Sequence, residues 1–191
     1  MVTKYFVISL PRSGTSTISK MSEIVGYEWS HPPHVYYDQQ INGWDKYFFS
    51  DTPIFNPKVV EEICLLEKIE PKFIFIDREF KSIYESWVKC GLYRNYTHMF
   101  NKNTKHLSTS QIFDINTYNE AFDNNFLDEN NYGEVFHNHK NTVIDLVKKY
   151  NKELLMYNFK DGWKPFCDFL NVKTPNKDIP WINKNKMFDK I

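Results

Sequence analysis

The chain has 191 residues, 41% apolar, 17% aromatic and 25% charged, and its 24 basic and 24 acidic side chains leave a formal charge of zero. That length suits a single domain spanning 1–191, able to bury about two-thirds of the surface its unfolded form exposes. Balanced charge argues against a general nucleic-acid binder, which needs a broad basic surplus, and no apolar run approaches the ~20 residues that a membrane-spanning helix needs.

Lys4-Tyr-Phe-Val-Ile-Ser-Leu10 is a near-continuous apolar run stopped by Pro11 and Gly14, the pattern of a buried strand. It is too short for the core of a signal peptide. From Thr15 the spacing becomes helical: Ile18, Met21 and Val25 share a face, and Gly26 suits a C-terminal stop. Tyr47–Ser50 reads as a weaker strand, and Asn56-Pro57 as an N-cap with proline at the first helical position, opening a helix through Val59, Ile63 and Leu66. Lys72–Ile76 is the clearest strand, followed by a helix from Phe80 to about Cys90 that buries Ile83 and Trp87. Residues 91 to 112 are rich in Asn, Lys, Thr and Ser without a sustained period, as expected of an irregular insertion.

Helices are then expected near 115 to 129 and over about Gly133 to Tyr150, with Phe136, Val143, Val147 and Tyr150 on one face of the second. Glu153–Phe159 reads as a strand, and Asp161 as the cap of a last helix striped by Trp163, Phe166, Cys167 and Leu170. The tail after Pro175 is expected to run extended over the surface. Strands alternating with helices predict a three-layer α/β/α fold of the P-loop type around a central parallel sheet. The three cysteines, Cys64, Cys90 and Cys167, form neither a metal motif nor a disulfide framework, which suits a reducing, cytoplasmic compartment.

In such a sheet, ligands bind beyond the carboxyl ends of the strands. Those ends carry Pro11-Arg-Ser-Gly-Thr-Ser-Thr17, Ser50-Asp-Thr-Pro53, Asp77-Arg78 and Phe159-Lys-Asp-Gly162, which together gather two arginines, a lysine, a carboxylate and a hydroxyl-rich turn. A glycine loop entering a helix points N–H groups and the positive end of the helix dipole at one spot, as phosphate requires. It is not the triphosphate loop G-x-x-x-x-G-K-[ST]: aligned on Gly14, Ser9 takes the place of the first glycine and Thr15 that of the lysine. The positive charge stands inside the loop instead, as Arg12. Arg78 at a strand end and Ser86, two helical turns further on, could grip a second phosphate through a guanidinium fork and a hydroxyl. Each piece alone has a plain structural alternative: Ser13 and Thr15 as caps, Arg78 as a surface ion pair. His31-Pro-Pro-His34 reads as a loop, since no third metal ligand is near it. His137 and His139, two apart on a helix, do not share a face, and a structural role is expected for His139.

Pro11-Arg-Ser-Gly-Thr-Ser16 resembles the 5′-phosphosulfate loop of the sulfotransferases that use 3′-phosphoadenylyl sulfate (PAPS). Phe73-Ile-Phe-Ile-Asp-Arg78 with Ser86 resembles their 3′-phosphate motif. Ser50-Asp-Thr-Pro53 matches the Asp-x-Pro signature near their acceptor site. Tyr157-Asn-Phe-Lys-Asp-Gly-Trp-Lys-Pro-Phe-Cys-Asp-Phe-Leu170 resembles the C-terminal strand–turn–helix of the small P-loop sulfotransferase-like proteins, and His139, Val143 and Ile179-Pro-Trp-Ile-Asn183 also fit. Two features depart from the family pattern at the nucleotide. Thr17 stands where many members carry an aromatic residue that stacks on adenine, and Asp77 replaces the usual apolar residue before the motif arginine.

The resemblance implies sulfuryl transfer from PAPS to a hydroxyl or amine of a small molecule or glycan, leaving 3′,5′-ADP and requiring no metal, no nucleic acid and no membrane. It implies that the N–H groups of Ser13, Gly14, Thr15 and Ser16 hold the 5′-phosphate, with Thr15 and Ser16 also giving hydroxyl bonds and Thr17 among the residues that bind the nucleotide. Arg12 neutralises the leaving group, Arg78 and Ser86 clamp the 3′-phosphate, and Lys160 can reach a phosphate. Asp51 is the candidate general base, against the alternative of a turn-capping aspartate before Pro53. A P-loop kinase that uses Asp77 to bind metal, and a relative that binds the nucleotide without turning it over, are the rival expectations.

Overall fold

The computed structural model describes residues 1–30, 46–50, 53–89, 116–122 and 132–182. The N-terminal apolar run forms β1, Val2–Val7, beginning two residues earlier and ending three earlier than its hydropathy predicts. It lies at the centre of a five-stranded parallel sheet of order β2-β3-β1-β4-β5, where β2 is Trp29–Ser30, β3 Phe48–Ser50, β4 Ile69–Ile76 and β5 Glu153–Tyr157. The two-residue β2 is too short to show a period in the sequence. Strand β4 pairs with β1 from Val2↔Ile69 to Val7↔Ile74, and with β5 from Lys72↔Glu153 to Ile76↔Tyr157. Pro71 therefore falls in the stretch of β4 that β5 has not yet reached, where a missing N–H is tolerated.

The helices are α1 (Thr15–Ile24), α2 (Pro57–Cys64), α3 (Phe80–Lys89), α4 (Tyr132–Lys149) and α5 (Trp163–Leu170), with a further short helix over 116–121. Strand alternation sends β1 side chains to both faces. Phe6 and Ile8 join Phe49, Phe73 and Phe75 under Val60 and Ile63 of α2 and Val143 and Val147 of α4. Tyr5 and Val7 join Phe48, Ile74 and Tyr157 under Ile18 and Met21 of α1 and Phe166, Cys167 and Leu170 of α5. The sheet is thus covered on both faces, as the alternating pattern implied. A third cluster, of Leu10, Phe55, Ile83, Trp87, Tyr118, Phe122 and Phe136, closes the carboxyl end of the sheet.

Local signals act as their chemistry dictates, with one exception. The Asn56 side chain accepts the Lys58 N–H at 2.9 Å and Pro57 opens α2. Asp161 does not cap α5. The Asn158 side chain accepts the Lys160 N–H at 3.0 Å, which winds Phe159–Asp161 into a 3-10 turn and leaves Gly162 (φ 72°) at the cap position. No helix among the described residues is long and apolar enough to cross a membrane.

Candidate active site

The turn after β1 is fastened from three sides. Trp87 of α3 donates its indole N–H to the Pro11 carbonyl at 2.8 Å. Ser13 donates both its amide (3.1 Å) and its hydroxyl (2.6 Å) to the Leu10 carbonyl, so its amide is committed within the turn. Ser19 donates to the Thr15 carbonyl at 2.9 Å and bonds Ser50 at the end of β3 at 2.7 Å. Arg12 is held at φ 71°, a left-handed conformation unusual for a residue with a side chain. Gly14 (φ 121°) is required twice over: a Cβ there would overlap the Phe159 ring, whose Cζ lies 2.8 Å from its ideal position.

This geometry brings the two predicted guanidiniums together. Arg78, leaving β4, donates Nη1 to the Arg12 carbonyl at 2.8 Å. Its other two nitrogens converge on the Ser82 hydroxyl, Nε at 3.0 Å and Nη2 at 2.7 Å. Arg12 in turn donates Nε to Ser86 at 3.3 Å. Ser86 is thus beside the pair, but on Arg12 and not on Arg78. Ser82 is the residue the sequence reading missed, although its i, i+4 offset from Arg78 at the start of α3 was a usable signal. Burial, and then the Arg12 charge, lower the pKa of Arg78. No described carboxylate pairs with either arginine, so two partly buried cations face each other. An anion placed there would relieve both the burial and the repulsion.

The remaining predicted residues divide. Thr15 and Thr17 are buried, whereas Ser16 is half-buried on the first turn of α1. Thr17 Oγ1 accepts the Ile182 N–H at 3.4 Å. Lys160 is exposed on the 3-10 turn, and among the described residues its ammonium bonds no loop atom. Asp51, His31, His34 and Cys90 lie outside the described residues. Asp77, the metal ligand of the kinase alternative, is tied to Lys140 of α4 at 2.6 Å while its carbonyl accepts the Asn158 amide at 2.9 Å.

His139 is fully buried. Its Nε2 lies 2.7 Å from the Phe55 carbonyl, which can only accept, so Nε2 carries the proton. Nδ1 is left without a hydrogen-bond partner. Burial pushes its pKa down to about 4. It is a neutral, structural imidazole.

The C-terminal segment returns to the loop. Trp163 donates to the Lys177 carbonyl at 2.6 Å, Ile179 packs on the α1–α5 side of the core, and Trp181 meets Phe159 with ring centroids 5.5 Å apart.

Among known proteins, the family model described as a sulfotransferase domain matches residues 70–188, well over half of the chain. The match takes in β4, Arg78, Ser82, Ser86 and the C-terminal segment, and begins after the Arg12 loop. No curated protein shows a significant match.

Proposed function

The chain belongs to the sulfotransferase domain family, and on that premise we propose that its donor is PAPS and that it moves the sulfuryl group to a hydroxyl or amine of a small molecule or glycan. One observation supports this reading above the others: Arg12 and Arg78 meet across the carboxyl ends of β1 and β4, with Ser82 and Ser86 beside them. In a chain of zero net charge, such a pair favours a ligand carrying concentrated negative charge at more than one point. A bisphosphorylated adenosine meets that requirement, and its second phosphate distinguishes it from ATP.

PAPS supplies an activated sulfuryl group on a phosphate leaving group. The protein's own part is positioning and charge stabilisation. The acceptor's nucleophilic atom forms its bond to sulfur as the bond from sulfur to the bridging phosphate oxygen breaks, and the electron pair stays on 3′,5′-ADP. Arg12 and the N-terminus of α1 stabilise that developing charge, with Gly14, Thr15 and Ser16 supplying amides and Ser13 shaping the turn from within. Arg78 holds the 3′-phosphate and Ser86 steadies Arg12. Asp51 takes the acceptor's proton. Free, buried Cys64 and Cys167 are in keeping with a reducing, cytoplasmic setting.

Titration calorimetry tests the donor. The protein should bind 3′,5′-ADP without added metal and bind ATP with Mg²⁺ at least tenfold more weakly. The opposite preference would overturn the reading in favour of a kinase.

A further inference from the structure

We infer that Trp181, seated on Phe159, is the face on which the adenine base lies; this rests on the donor proposed above. The helix that receives the phosphate offers no ring of its own, since α1 opens with Thr15, Ser16 and Thr17. Thr17 is buried, and its hydroxyl is engaged by the Ile182 amide. The same bond draws the C-terminal segment onto the first turn of α1 and carries Trp181 to the loop.

Phe159 fixes the position of that ring. Its edge fills the space left by the missing Cβ of Gly14, and its centroid lies 5.5 Å from that of Trp181 with the planes 56° apart. The two rings therefore step outward from the loop, with Phe159 half-buried and Trp181 outermost at 53% exposure. Among the described phenylalanines, tyrosines and tryptophans, the other exposed ring is that of Tyr47, at 42%. It precedes β3 at the amino end of the sheet, opposite the phosphate loop. A large indole left half in water beside an anion site costs apolar exposure, which a planar base would remove. Stacking on an aromatic face tolerates any base, so Trp181 contributes affinity, and the two phosphates contribute the choice of nucleotide.

Calorimetry with 3′,5′-ADP on the unsubstituted protein, Trp181→Ala and Trp181→Phe tests this, with thermal melting of each as the fold control. Trp181→Ala should bind about tenfold or more weakly with an unchanged melting temperature, and Trp181→Phe should recover most of the loss because it keeps a ring. Binding by Trp181→Ala within twofold of the parent would overturn the inference and leave the donor assignment standing. So would a Trp181→Phe protein as weak as Trp181→Ala, because the loss would then not be one of a ring face. If the unsubstituted protein does not bind 3′,5′-ADP at all, the donor assignment falls and this inference with it.

Discussion

The turns after β1 and β4 present one arginine each to the same place, yet they hold it by opposite means. The first is a backbone device. Arg12 sits in a left-handed conformation, Ser13 bonds inward to Leu10, and Gly14 leaves room for Phe159. The second is a side-chain latch, in which one serine hydroxyl receives two nitrogens of Arg78 and the third bonds the carbonyl of Arg12. A site built from one rigid turn and one latched side chain places its first charge by folding. Its second charge is placed by three hydrogen bonds from one side chain, so the first half should fail through the fold and the second through binding.

The rigid half should fail hardest. Gly14→Ala is expected to cost about 2–5 kcal/mol, from the forbidden backbone angle together with overlap on Phe159. Chemical denaturation would measure it. Adding Phe159→Ala should relieve the overlap but not the angle, and full recovery by the double variant would show that the backbone is unstrained.

Acid separates the guanidinium pair from the packing around it. Burial pushes the pKa of His139 from 6.5 down to about 4. The unfolded chain takes up that proton below about pH 6.5 and the folded protein only near pH 4. Stability is therefore complete above pH 6.5 and is lost as the pH falls between the two values, by about 3 kcal/mol. Denaturation curves across pH 7 to 4 should show this loss, and His139→Phe should flatten it by about one proton. An unchanged slope would place the titration elsewhere.

The latched half should lose function before stability. Arg78→Ala is expected to weaken 3′,5′-ADP by about 10- to 100-fold, the value of a charged hydrogen bond, while 5′-AMP changes little. Equal losses for the two nucleotides would remove Arg78 from the 3′-phosphate. Smallest of all, Ser82→Ala should weaken 3′,5′-ADP by about fivefold through loosening of the fork, and Ser82→Thr should restore it by keeping the hydroxyl. If Ser82→Ala binds as well as the parent, the guanidinium holds its place without the latch.

The legibility of the site follows the same division. Arg12, Gly14, Arg78 and Ser86 could be picked out because a loop between strand and helix, and an arginine at a strand end, are local patterns. Ser82 belongs to no local motif, and nothing near Phe159 in the chain marks it, because its partner is a distant glycine. Asp161 looked like a cap because the Asn158 turn before it changes the register by a residue. Asp77 looked available for a metal because nothing in its neighbourhood announces Lys140.

By itself, the sequence determined where the strands other than β2 and the long helices would form, which of their side chains would face inward, and that a glycine turn would meet a helix N-terminus. These depend on periods of two and 3.6 residues and on caps one turn long, all of which are properties of neighbouring residues. The tertiary structure alone decided that Arg78 would reach the Arg12 carbonyl 66 residues before it, and that Ile182 would bond Thr17 across 165 residues. Those contacts exist because β4 pairs beside β1 and the C-terminal segment packs back over α1, and strand order and docking are settled by the packing of the whole core.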